Sequence, residues 1–326
     1  MIKVRNLKKN FGPKLAVNGV SFSVEKGEVL GFLGPNGAGK STTMRMITGF
    51  IPPTDGEITV GGFNVVDNPV PAKRLMGYLP ENAPSYSDMT VGGFLGFCAE
   101  LRGLTGTAKR KAVGKVVEMC FLESVVHQSV DTLSKGYKHR TCLAQSILHD
   151  PEVLIMDEPT DGLDPNQKHE VRTLIRNMGE KKAIIFSTHI LEEVEAVCSR
   201  AIIIDRGQVV ANGTPAELKR RSGRAGCVTL RLAQSSAIAA DAVAEKIKAL
   251  AGVEKCVVSA QSPVTICATP VKNSNTDGAL ARSIAEAIAR ESWQVEDLHT
   301  EEGHLDDVFR SITIGDKAAP KKESKS

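Results

Sequence analysis

The chain has 326 residues, of which 41% are hydrophobic and 24% charged. That composition suits one large or two smaller globular domains and excludes general disorder and collagen-like repeats. Lys and Arg number 41 against 38 Asp and Glu, a balance that does not point to a nucleic-acid partner. No run approaches the roughly 18 consecutive apolar residues of a membrane span. The opening residues, Met-Ile-Lys-Val-Arg-Asn, lack the apolar stretch of a signal peptide. The seven cysteines are scattered and never spaced as C-x-x-C, so neither a disulfide framework nor a zinc site is expected, and a reducing cytosol is. Any role at a membrane would come through a partner.

In chain order, the first thirty residues alternate apolar and polar positions and turn at Glu25-Lys26-Gly27-Glu28, which predicts short antiparallel strands. Residues 29–33 form a wholly apolar run that ends in a Gly-rich loop, the pattern of a buried strand, and residues 41–49 read as a helix closed by Gly49. Residues 91–149 read as mostly helical. Apolar strands at 153–156, 183–186 and 201–204 then alternate with helices, which predicts a mainly parallel α/β sheet. A basic, Gly-containing stretch at 219–226 reads as a linker. Beyond it the pattern is strand (227–232), helix (238–250), strand (253–259), strand (264–269), helix (277–290) and strand (293–298), the split β-α-β-β-α-β order of a ferredoxin-like α+β domain. The domains are therefore expected at 1–220 and 227–314, followed by a disordered Lys-rich tail at 317–326.

Gly34-Pro35-Asn36-Gly37-Ala38-Gly39-Lys40-Ser41 fits G-x-x-x-x-G-K-[ST]. Glycines let backbone N–H groups turn inward around phosphate oxygens. The lysine supplies charge to the β- and γ-phosphates, and the hydroxyl of Ser41 can ligate Mg²⁺. The helix that follows, with Thr42 in its first turn, aims a partly positive N-terminus at the same anions. A second element supports this one. The apolar run Val153-Leu154-Ile155-Met156 delivers Asp157 and Glu158, an acid to hold Mg²⁺ and a second one to polarise an attacking water.

Three further segments narrow the class. They are Leu133-Ser134-Lys135-Gly136-Tyr137 ahead of a helical run, Gly162-Leu163-Asp164 after Glu158-Pro159-Thr160, and Ser187-Thr188-His189 after an apolar strand. Taken with the phosphate loop, this order resembles the nucleotide-binding subunits of ABC (ATP-binding cassette) transporters, over about residues 1–220. The resemblance implies an ATPase that binds ATP and Mg²⁺, with an N-terminal antiparallel β-subdomain and a helical subdomain. It implies two partners, an integral membrane permease subunit and a second cassette, and a place on the cytoplasmic face of the cell membrane. It assigns Ser134 and Gly136 to the signature that contacts ATP held by the opposite subunit, His189 to the switch that contacts the γ-phosphate, Asp164 to the loop that crosses the dimer interface, and Phe11 to the aromatic that stacks on adenine. Three motifs depart from the family pattern. Lys135 and Tyr137 stand where the signature has Gly and Gln, Glu81 stands where a Mg²⁺-contacting Gln is usual, and Gly162 replaces Ala. The segments around Tyr78–Glu81 and Asp88–Val91, and the ending Leu305-Asp306-Asp307-Val308-Phe309, look like the drug- and polysaccharide-exporter type, including subunits associated with gliding motility.

Overall fold

In a computed structural model the described residues are all but 82–85, 87, 234–238, 262, 272–277 and 315–326. The expected disordered tail at 317–326 lies outside them. The chain forms two compact units, the first ending at Pro215 and the second starting at Ala216.

The first unit opens on the hairpin β1 (Ile2–Phe11) and β2 (Lys14–Val24). One face alternates inward, with Ile2, Val4, Val20, Phe22 and Val24 all buried. β3 (Val29–Leu33) is buried at every residue and leads through the Gly-rich loop into α1 (Lys40–Ile47). β4 (Asp55–Val60) and β5 (Phe63–Asn64) complete an antiparallel sheet of order β2-β1-β4-β5. Then come α2 (Pro69–Arg74) and β6 (Met76–Leu79). The helical stretch is broken into α3 (Val91–Leu101), α4 (Gly106–Met119) and α5 (Lys135–Ile147). The breaks fall where Gly103 and Phe121 take positive φ, a backbone state that cannot continue a right-handed helix.

β7 (Val153–Asp157), α6 (Pro165–Gly179), β8 (Ala183–Thr188), α7 (Leu191–Val197), β9 (Arg200–Asp205) and β10 (Gln208–Gly213) finish the unit, and α8 (Pro215–Lys219) starts at its last residue and continues into the second unit. The second sheet has the order β10-β9-β3-β8-β7-β6. All its pairings are parallel except β9 with β10. β3, β7 and β8 are buried along their whole length, as strands covered on both faces must be. The aliphatic core joins both sheets through Leu30, Phe32, Ile155, Ile185 and Ile202 together with Met44 and Ile47 of α1. Each such side chain contributes about 1.5–3 kcal/mol on burial.

Strand register positions the site. Leu33 pairs with Thr188, Asp157 with Ser187, and Leu79 with Met156. The loops beginning at Gly34, His189, Glu158 and Pro80 therefore leave one edge of the sheet side by side, at the carboxyl ends of parallel strands, where ligands of open α/β sheets bind.

The second unit contains β11 (Val228–Leu232), α9 (Ala240–Lys248), β12 (Val253–Gln261), β13 (Val264–Pro270), α10 (Ala279–Glu291), β14 (Val295–Thr300) and α11 (Leu305–Ile314). Its four strands form an antiparallel sheet of order β12-β13-β11-β14. Leu230, Leu232 and Ile266 of the sheet pack with Val243 and Ile247 of α9 and Ile284 of α10. The stretch read as a linker is folded into this unit. Ser222 is buried and donates to Asp307 of α11 at 3.0 Å, and Arg224 lies 3.8 Å from the same carboxylate. The acid offsets positive charge in this basic stretch.

Candidate functional site

The phosphate loop, residues 34–39, is held from both sides. Gly207, in the turn after β9, donates its N–H to the carbonyl of Ala38 at 2.8 Å, and Asn18 of β2 donates to the carbonyl of Gly207 at 2.8 Å. Within the loop Ala38 donates to Pro35 at 3.1 Å, and the turn through Asn36 and Gly37 lies between them. Gly39 has φ 107°, and a Cβ there would stand 2.7 Å from the carbonyl oxygen of Ala16, so this position accepts no side chain. The first turn of α1 has neither a side-chain cap nor an acidic residue. The N–H groups near Ser41 and Thr42 thus carry their partial positive charge toward the loop without an internal anion to answer it.

Lys40 is buried. Its ammonium folds over the loop and donates to the carbonyl of Gly34 at 2.6 Å. Burial pulls its pKa down, and the negative charges of Glu158, Asp157 and Glu81 oppose that shift. Three acids from two different strand ends therefore surround one lysine. Glu81 is exposed.

Asp157 is 1% exposed. Its Oδ1 accepts from the Ser187 hydroxyl at 2.5 Å, and its Oδ2 is buried with no hydrogen-bond partner. An unsatisfied buried carboxylate oxygen is costly, and a cation beside it removes that cost, so the residues present fit Mg²⁺. Among the described residues no three His, Cys, Asp or Glu side chains converge into a ready-made metal cage. That suits an ion which keeps few protein ligands and takes the rest from phosphate and water.

Glu158 sits just past the end of β7 at φ 51°, in the left-handed region that non-glycine residues rarely occupy. Such strain persists where surrounding bonds over-determine it. Here the Glu158 N–H donates to Ser187 Oγ at 3.0 Å, and its Oε2 lies 3.0 Å from Nδ1 of His189. Burial raises the Glu158 pKa, while His189 and then Lys40 pull it back. The His189 side chain is 57% exposed and its carboxylate partner only 14%. The pair therefore presents the imidazole outward and the acid inward.

Two residues that sequence reasoning gave no role hold this arrangement. Ser187 bridges Asp157 and the Glu158 backbone, as above. Glu193 of α7, also buried, accepts from Thr188 Oγ1 at 2.7 Å and from Thr160 Oγ1, with the Arg172 guanidinium 3.4 Å away. It ties the segment after Glu158 to the residue before His189. An acid at the third position of a helix that follows a core strand was the available signal, but it reads as an ordinary first-turn acid.

The remaining expected residues form a second group. Ser134 caps α5 by accepting from Tyr137 N–H at 3.4 Å, and Asp164 caps α6 by accepting from Gln167 N–H at 2.9 Å. A Cβ on Gly136 would lie 2.6 Å from Oε1 of Gln167, so the two helix starts abut. Among the described residues no hydrogen bond or ion pair joins Ser134, Gly136 or Asp164 to residues 34–42. Phe11 ends β1, half exposed, with Lys9 Nζ 5.3 Å from its ring centroid. It pairs with Lys14, two residues before Ala16, whose carbonyl faces Gly39.

A Gly-rich loop ending in Lys40 between a buried parallel strand and a helix, with two acids at the end of β7 two strands along the sheet, defines a P-loop nucleotide hydrolase. The ABC transporter family model matches residues 17–161. The linearmycin resistance ATP-binding protein LnrL of Bacillus subtilis (strain 168) is 39% identical over 224 residues, covering 68% of this chain and 72% of that protein. The Nod factor export ATP-binding protein I of Burkholderia orbicola (strain AU 1054) is 39% identical over 215 residues, covering 66% and 71%. A solved ATP-binding subunit of an ABC transporter aligns with a TM-score of 0.63 at 30% identity, over 68% of this chain and 92% of its own. The chain belongs to the ABC transporter family, as an ATP-binding and ATP-hydrolysing subunit.

Proposed function

We propose that this subunit powers export through a separate membrane-spanning permease, working as one of two cassettes that sandwich ATP between them. The exporter reading rests on relatives whose names concern linearmycin resistance and Nod factor export. Among the described residues no helix is long and apolar enough to cross a membrane, so a permease and a station on the cytoplasmic membrane face belong to the same reading. The single observation that carries the catalytic part is the shared edge at which Gly34, Glu158 and His189 leave paired strands. The second cassette is supported by the separation of Ser134, Gly136 and Asp164 from the phosphate loop of their own chain. These groups are helix starts without a phosphate to face, and the phosphate loop of another copy supplies one. The four-stranded antiparallel second unit is a ferredoxin-like accessory domain in this reading.

The residues divide the work. Lys40 and N–H groups between Asn36 and Thr42 bind the β- and γ-phosphates, and Phe11 stacks on the adenine. Ser41, Asp157 and Glu81 would hold Mg²⁺, which would supply positive charge to offset that of the phosphates. Glu158, lifted by burial, takes the proton of the attacking water, and His189 orients Glu158 and meets the γ-phosphate. The test is Glu158→Gln, which keeps size and hydrogen bonding but cannot accept the proton. ATP turnover should fall by about 10²–10⁴-fold while ATP still binds, and an ATP-held dimer should accumulate on size exclusion. Full turnover would place the base elsewhere.

A further inference from the structure

Two of the three departures from the family pattern touch each other. Lys135, in the place of a signature glycine, reaches across to the interface loop and pairs with Asp161, Nζ to Oδ2 at 2.8 Å. Gly162, in the place of an alanine, lies beneath that side chain. A Cβ on Gly162 would stand 2.6 Å from both Cδ and Cε of Lys135, and its φ of +71° disfavours a side chain in any case. The lysine stem therefore occupies the volume that an alanine methyl would take. Lys135 also draws the Asp161 pKa down, chiefly through the hydrogen bond. Beside this contact Gly136 abuts Gln167, and Asp164 caps the helix that carries Gln167. The start of α5 and the loop before α6 are thus joined within one chain by an ion pair, a stem-over-glycine contact and a helix–helix abutment.

We infer that Lys135 is a positioning residue that ties the signature to the interface loop of its own chain, so that both meet the second cassette as one unit. The inference rests on the two-cassette reading above. By itself the pair is worth little, because the lysine and aspartate side chains are 71% and 51% exposed and water screens them. Its value lies in orientation. Ser134 and Gly136 on one side and Asp164 on the other face the same partner surface, and a fixed relation between them removes a freedom that association would otherwise have to freeze. The glycine at 162 suits both its own φ and the lysine at 135, since a methyl there would push the stem away from Asp161.

The test uses the full chain in the Glu158→Gln background, with Mg²⁺ and ATP as the probe, and reads the dimer dissociation constant by sedimentation together with the ATP affinity of the monomer. Lys135→Met and Asp161→Asn should each weaken the ATP-dependent dimer about fivefold, and the double variant should be no weaker than either single one. Lys135→Arg, which keeps the pair, should restore parental dimerisation. Gly162→Ala should weaken the dimer more in the parent than in a Lys135→Gly background, where there is no stem to displace. ATP affinity of the monomer should be unchanged throughout, because none of these positions lies in the phosphate loop, and a merely destabilised fold would not keep it so. Losses that add are those of independent sites and would overturn the inference. A loss with Lys135→Met but none with Asp161→Asn would also overturn it, since the ammonium would then act directly on phosphate. Should the Glu158→Gln parent itself fail to dimerise with ATP, the two-cassette reading falls and takes this inference with it. Should the parent dimerise and the variants match it, the inference falls alone.

Discussion

The two halves of the candidate site are built in opposite ways. The phosphate-loop half lies where strands β3, β7 and β8 end: Asp157 is buried, Glu158 is strained, Ser187 bonds both, and Glu193 braces Thr160 and Thr188 beside them. The signature half consists of helix starts whose polar groups are exposed and whose caps are local, three residues from cap to donor. Burial makes each polar group in the first half strongly dependent on its partners, because an unmet one costs the full desolvation penalty. In the second half water is the alternative partner, so single contacts matter less until a second chain excludes it. The difference separates a half that is organised within one chain from one that, in the proposed reading, association completes.

If that contrast holds, the largest loss of ATP affinity comes from Lys40. Lys40→Ala removes the buried charge on the loop, and ATP affinity should fall about a hundredfold, the equivalent of about 3 kcal/mol for a charged hydrogen bond. Titration with ATP would measure it, and unchanged affinity would break the assignment of the first half. This is much larger than the fivefold effects expected at Lys135 and Asp161, and a reversal of that order would erase the contrast.

The electrostatics of the buried half can be sharpened by following the Glu158 carboxyl with carbon-13 shifts in the nucleotide-free chain. Burial favours the neutral acid, so the midpoint should lie above the ordinary Glu value of about 4.3. Both His189 and Lys40 oppose that shift with positive charge. Removing either one, in His189→Ala or Lys40→Ala, should raise the midpoint further. The sign is the point of the measurement: a fall in either variant would mean that burial is not what governs this acid.

A smaller effect than that of Lys40 is expected at Glu81, exposed and in the first half by position only. If it helps to hold Mg²⁺, Glu81→Gln exchanges a charged ligand for a neutral one. The Mg²⁺ concentration for half-maximal turnover should rise about threefold to tenfold, with little change in maximal rate. An identical Mg²⁺ dependence, measured without a membrane partner, would remove Glu81 from the ion and leave Asp157 and Ser41.

Much of the first half was legible because its chemistry is contiguous. The loop ending in Lys40-Ser41, the pair Asp157-Glu158 and the segment Ser187-Thr188-His189 each follow an apolar run that can only be a covered strand. The bracing was not legible. Ser187 and Glu158 are 29 residues apart, and Glu193 and Thr160 are 33. A serine or a glutamate carries no mark of a partner at that distance. The strands β4 and β10 and the short helices α2 and α11 also escaped the pattern reading. β4 and β10 have mostly exposed faces and are stabilised by the strand beside them rather than by their own alternation.

What the sequence determined by itself was the set of candidate residues and their order along the chain: the residue types proposed to bind phosphate, hold a cation and accept a proton, and the apolar runs that carry them. Those are properties of short segments, set by local composition and period. The tertiary structure decided which segments stand together. Parallel register set Leu33 beside Thr188 and Asp157 beside Ser187, and only that register gives Lys40 three acidic neighbours and Glu158 its histidine. It likewise set Lys135 over Gly162, because a stem crossing a glycine depends on two helix starts that the sequence places 26 residues apart in Lys135 and Asp161 and the fold brings to 2.8 Å.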